Sequence, residues 1–229
     1  VFNFKKALLI NPPVKLYNSV SILDRMLENI PGGEDNFSQF YGKLVKQFSE
    51  VYKRSDRLDM NEDMLYQAYE ALNIKDESMA ALIGVAFRIS SANLTLVSDI
   101  MTDYGYIKPK NVRFKKNTNP GKYGKVSMRL GFTDYVHEYF FPFYKQQDPS
   151  LTRDGLIDEM SLASIEDYLR SAKKIEVMHN ENDVILAPGE IDFFRRVFGD
   201  RAKIYPTGGH CGNIDYRDNV AHMVNVFKQ

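Results

Sequence analysis

Residues 173–227 read KKIEVMHNENDVILAPGEIDFFRRVFGDRAKIYPTGGHCGNIDYRDNVAHMVNVF, and their rhythm decides the fold. Residues 174–178, KIEVM, read as a strand. Residues 188–198 carry proline near a first turn and Gly199 just past the end, which is the asymmetry of a helix. Residues 202–205 read as a second strand. Residues 216–227 set Val220, Met223, Val224 and Phe227 on one helical face, so a closing helix is expected. The order β-α-β-α predicts an α/β fold, a parallel sheet flanked by helices.

In such sheets, functional groups collect on loops at the carboxyl ends of the strands. Asp183 lies about five residues past the first strand, and His210 about five past the second, so a parallel arrangement brings both to one edge. Asp183 is then placed to accept the imidazole Nδ1–H, leaving Nε2 for a nucleophile. Gly208 and Gly209 permit tight or left-handed backbone beside His210. Asn182 adjoins the acid as loop support. Singly, each feature has a plainer reading, the aspartate as a turn residue and the histidine as a loop residue. The joint order favours an acid–histidine pair. Cys211 adjoins His210, but side chains of neighbouring residues diverge, so packing suits it better than a Cys–His nucleophile. His179, Asp183 and His210 are conceivable metal ligands, but no H-E-x-x-H or tight His/Cys cluster accompanies them, and neither metal nor cofactor is expected.

Upstream, residues 6–10 are continuously apolar, as in a strand buried on both faces, and Asn11-Pro12-Pro13 ends the run. Residues 16–171 read as mostly helical. Helices are expected at 20–29, 35–52, 62–72, 78–103 with a break at 90–93, 132–146 and 161–171. The turn signal Asn117–Gly121, with short runs at 112–114 and 125–130, predicts a hairpin. Two architectures fit. One is a helical insertion (16–171) between a core strand (1–15) and the rest of the core (172–229). The other is a separate helical domain with a small α/β tail, although three strands make a poor sheet alone.

Residues 173–227 resemble the C-terminal end of the α/β-hydrolase superfamily. Asn182-Asp183 with Pro188 match its acid loop, and Gly208-Gly209-His210 match its histidine loop. Residues 4–14, FKKALLINPPV, are similar to its strand after the nucleophile helix, where the family commonly inserts a helical cap or lid. The likeness covers about 70 residues at the two ends. It implies the C-terminal part of a serine hydrolase, an esterase-, lipase- or thioesterase-like enzyme acting on an acyl bond. Asp183 would orient His210, which would act as base and then acid. The family's serine sits on a G-x-S-x-G elbow, and no serine here has glycine two before and two after it. The nucleophile is therefore expected outside this chain, on an N-terminal part of the same protein. The opening Val1, in place of Met, fits a processed or truncated piece. This piece alone is expected to be inactive.

Thirty basic and thirty acidic residues cancel, which removes any whole-chain argument for nucleic acid. Residues 108–129 are different: Lys108, Lys110, Arg113, Lys115, Lys116, Lys122, Lys125 and Arg129 occur with no acid among them. A solvated loop is the plain reading. The functional one is contact with an acidic partner or a membrane surface, on a hydrolase-derived scaffold acting as a non-catalytic interaction module. No nucleic-acid motif accompanies the patch. One cysteine excludes an internal disulfide and leaves a cytoplasmic or periplasmic setting open. No apolar run reaches the ~18–20 residues of a membrane span.

Overall fold

The computed structural model describes residues 4–30, 36, 39–43, 46, 49, 53 and 76–228. The chain divides into two compact units, one of Val1–Ile22 with Phe141–Gln229 and one of Leu23–Phe140. Residues 16–22 and 141–171, expected in the helical insertion, group with the strands.

The first unit holds the strands β1 (Ala7–Ile10), β2 (Ile175–Asn180) and β3 (Ala202–Tyr205). All pair in parallel in the order β1-β2-β3, with Leu9 opposite Val177 and His179 opposite Ile204. The mixed α/β class is as the sequence predicts. Helix α1 (Leu16–Arg25) follows β1 and runs across the boundary into the second unit. Phe141–Gln147, Arg153–Glu159, Glu166–Ser171, Glu190–Phe198 and Arg217–Lys228 are also helical.

The core of this unit forms where the helix between β2 and β3 lays Phe193, Phe194, Val197 and Phe198 against Val177, Ile175, Leu169 and Val14. Those four residues recur at helical spacing, so one face carries them all. Phe194 is fully buried, and burying an aromatic ring stabilises by about 1.5–3 kcal/mol. Arg201 ties the element ends together. Its guanidinium donates to the carbonyls of Leu169 and Ala172, which a helix end leaves open, and to that of Ile175 at the start of β2.

The closing helix Arg217–Lys228 forms where expected, and it turns the side carrying Asn219 and Val226 inward. Asn219 and Val226 are buried, whereas Tyr216, Val220, Val224 and Phe227 are 40–65% exposed. Asn219 and Val226 are seven residues apart, hence on one side of the helix.

In the second unit, Asp76–Thr102 is one unbroken helix. The break expected at 90–93 is absent, and the hydroxyls bond to carbonyls of the preceding turn without interrupting the helix. Ser91 Oγ reaches Arg88 O at 3.0 Å and Thr95 Oγ1 reaches Ser91 O at 2.6 Å. Ala81 and Val85 of this helix pack on Leu27 and Ile30. The hairpin expected around residues 112–130 is also absent. Residues 121–127 form a short helix, with Tyr123 and Ser127 on its buried face. The helical pattern at 132–146 appears as Phe132–Tyr135 and Phe141–Gln147, joined by a π-turn, Val136–Phe140. Asp24 caps the first of these by accepting the Phe132 and Thr133 N–H groups at 3.0 and 2.8 Å. The expected helix at 62–72 lies outside the described residues. So does much of 35–52, where residues 39–43, 46 and 49 are helical. Among the described residues, no helix is long and apolar enough to cross a membrane.

Candidate active site

The carboxyl ends of the three parallel strands deliver Asn11, Asp183 and His210 to one edge of the sheet. Each comes from the loop after a different strand. Asp183 and His210, expected to pair, do so: His210 Nδ1 lies 3.0 Å from Asp183 Oδ2. The Asp183 carboxylate is fully buried, and the His210 side chain is 42% exposed. Among the described residues, His210 Nε2 makes no hydrogen bond, so its outer nitrogen is open.

Three donors converge on the carboxylate. Ile185 N–H reaches Oδ1 at 3.1 Å, while Asn11 Nδ2–H and the His210 Nδ1–H each reach Oδ2 at 3.0 Å. This set holds the carboxylate in one orientation. The imidazole tautomer is fixed with its proton on Nδ1 and a lone pair on Nε2, as a general base requires.

A network of asparagines holds the histidine loop. Asn180 Nδ2 donates to Gly209 O at 2.8 Å, and Asn11 Nδ2 reaches the same carbonyl at 3.3 Å. Asn182 Oδ1, named in the sequence as loop support, accepts the Gly209 N–H at 2.9 Å. The Asn180 and Asn213 amides bond to each other reciprocally, both at 2.9 Å. The loop after β3 thus folds back over the ends of β2 and β1. Asn11, Asn180 and Asn213 escaped the sequence reading, which took Asn11 only as part of a strand stop. The available signal was an asparagine directly at the end of a parallel strand.

Gly208 is required by space as well as by its φ of 144°. A Cβ there would sit 2.4 Å from Asn213 Cγ and 2.6 Å from Asn180 Nδ2. Gly208→Ala should therefore break the asparagine pair and lower stability by about 2–4 kcal/mol, read as a fall in the thermal midpoint. An unchanged midpoint would contradict the packing described.

His179 is fully buried, 4.9 Å from the Phe194 ring. Its Nδ1 accepts the Asn180 N–H at 2.9 Å, and its Nε2 faces Pro12 O at 3.1 Å. With both nitrogens engaged, it stands as a structural residue 3.8 Å behind Asp183. Among the described residues, no three His, Cys, Asp or Glu side chains gather as a metal-binding set. Cys211 sits in a left-handed conformation, φ 63°. Burial, and then the Asp183 charge, push its thiol pKa up, which disfavours the thiolate a nucleophile needs.

The basic residues at 108–129 all belong to the helical unit. Lys108 is buried and paired with Asp103. Lys110, Arg113, Lys115, Lys116, Lys122, Lys125 and Arg129 are exposed. No family model, no curated protein and no solved structure matches the chain.

Proposed function

We propose that Asp183 and His210 are the acid and base of a hydrolase acting on an ester or thioester, the chain being the C-terminal part of a serine hydrolase. The carrying observation is the Asp183–His210 contact, with one imidazole nitrogen held by a buried carboxylate and the other left open. His210 Nε2 takes the proton of an attacking hydroxyl, and the Asp183 charge stabilises the imidazolium. The proton then passes to the leaving group, and the cycle repeats with water.

The nucleophile comes, on this reading, from polypeptide that adds to the free edge of β1. Two observations support this. Among the described residues β1 pairs on one side only, although its sequence is wholly apolar. Further, among the described residues Tyr216, Val220, Val224 and Phe227 form an uncovered apolar stripe, while Asn219 Nδ2 and His222 Nε2 lie buried without a hydrogen-bond partner. Both are the marks of an incomplete α/β layer. A strand added beside β1 would lie about 4.8 Å from it. Its carboxyl end would then adjoin Asn11, over which the histidine loop already folds. The Leu23–Phe140 unit leaves the chain between β1 and β2, where the family resemblance expects a cap.

The test uses the full-length protein that contains this chain and a fluorophosphonate probe. Labelling of one serine is expected outside residues 1–229. It should be lost in His210→Ala and retained in Cys211→Ser. Labelling that survives His210→Ala, or turnover by the isolated chain, would sink the proposal.

A further inference from the structure

We propose that residues 108–129 of the helical unit are a docking surface for an anionic lipid membrane. It uses no residue of the Asp183–His210 site. The segment carries eight cations and no acid, and seven of the eight are exposed. Among the described residues, none of those seven forms an ion pair, and Lys122 alone of them spends charge on a ring, lying 4.7 Å over Tyr123.

The segment is built to present this charge. At its start, Lys108 is buried against Asp103 and gives its backbone N–H to Asp99. At its end, the helix Gly121–Ser127 buries Tyr123 and Ser127 on one side. The spacing 122, 125, 126, 129 is that of a single helical face. The chain continues the turn beyond Ser127, since Met128 keeps helical angles and bonds to Gly124 O. The outward face is therefore Lys122, Lys125, Val126 and Arg129.

The preceding loop is fastened beside this helix. Phe114 packs on Tyr123 with ring centroids 5.2 Å apart, which sets its sequence neighbours Arg113 and Lys115 next to the helix. Thr118 Oγ1 accepts the Lys115 N–H at 2.8 Å and fixes the turn that carries Lys115 and Lys116. The cations of the loop and of the helix thus share one fixed platform.

Val126 selects a membrane among anionic partners. It is 42% exposed in the middle of the cationic face. A headgroup layer accepts cations at phosphate level and an isopropyl group just beneath them. A nucleic-acid backbone rewards the cations but not the valine. Each lysine or arginine near an anionic leaflet strengthens binding by roughly five-fold.

The 229-residue chain is sedimented with vesicles of phosphatidylcholine alone or with about 30 mol% phosphatidylserine. Binding is expected only to the anionic vesicles, and it should fall more than ten-fold as NaCl rises from about 0.1 to 0.5 M. Lys122→Gln/Lys125→Gln/Arg129→Gln changes exposed side chains only, and circular dichroism checks its fold. It should weaken binding roughly 100-fold. Val126→Ser should weaken it further at fixed salt. Absence of binding to anionic vesicles at low salt overturns the proposal. So does full binding by the triple variant, or binding to duplex or single-stranded oligonucleotide in preference to the anionic vesicles.

Discussion

Asp99→Ala should destabilise the helical unit by about 3–5 kcal/mol, the scale of breaking a buried charge network. Asp99 is fully buried in the last turns of Asp76–Thr102. A carboxylate there meets the negative end of the helix dipole, an unfavourable place for it. Backbone donors more than offset this. Oδ1 accepts from Gly105 and Tyr106 N–H at 3.1 and 3.0 Å, and Oδ2 from Ile107 and Lys108 N–H at 3.2 and 2.8 Å. The Tyr139 hydroxyl also donates to Oδ1, at 3.1 Å. Alanine would leave four amides and a phenol to be solvated or stranded. Urea unfolding followed by tyrosine fluorescence reads the effect, and amide exchange at residues 105–108 should rise first. A loss below about 1 kcal/mol would mean that water replaces the carboxylate easily.

The same cluster sets an alkaline limit. Burial first, and then the Asp99 charge, raise the Tyr139 pKa well above its ordinary 10.0. The unfolded chain releases this proton first, so it binds fewer protons than the folded chain above pH 10. Stability is therefore complete below pH 10 and declines as pH rises beyond it. Tyr139→Phe should flatten that decline.

On the hydrolase proposal, Asp183→Asn should slow fluorophosphonate labelling of the full-length protein by about 10³–10⁴-fold while the chain stays folded. Three donors point at the carboxylate, and an amide offers one acceptor oxygen. With its NH₂ at the Oδ2 position, it opposes the Asn11 amide. It also forces His210 to present a lone pair at Nδ1, which moves the ring proton to Nε2 and removes the base. With its NH₂ at the Oδ1 position, it opposes the Ile185 N–H and supplies no charge to the imidazolium. Either way the site keeps its shape and loses its chemistry. The stability cost should be only about 1–3 kcal/mol, visible in a thermal melt. Labelling within a few-fold of the unsubstituted protein would remove Asp183 from the mechanism.

The parallel strands and the meeting of Asp183 with His210 are legible in the sequence because they depend on local signals. Each strand is short and carries β-branched or large apolar residues, each is followed by a turn-rich loop, and Gly199 ends the helix between β2 and β3 at a positive φ of 54°. The parallel order then follows from chain direction. The absent hairpin shows where such signals fail. Val126, Met128 and Leu130 alternate like a strand, but three positions cannot separate a period of 2 from one of 3.6. Packing of Tyr123 on Phe114 favours the helix. The closing helix forms as the sequence predicts, but most of its apolar stripe, Val220, Val224 and Phe227, is exposed. Periodicity marks a face that needs a partner without saying which partner is present.

The sequence by itself determined the α/β rhythm, the parallel order and the meeting of Asp183 with His210, because these rest on the chain's own periodicity and turn chemistry. Only the tertiary structure decided what holds the pair. Asn11 lies 172 residues from Asp183 in the chain, yet its amide donates to that carboxylate at 3.0 Å. Asn180 and Asn213 lock the histidine loop across 33 residues. Hydrogen bonds between residues so far apart leave no periodic trace in the sequence, and they exist only once the strands have aligned.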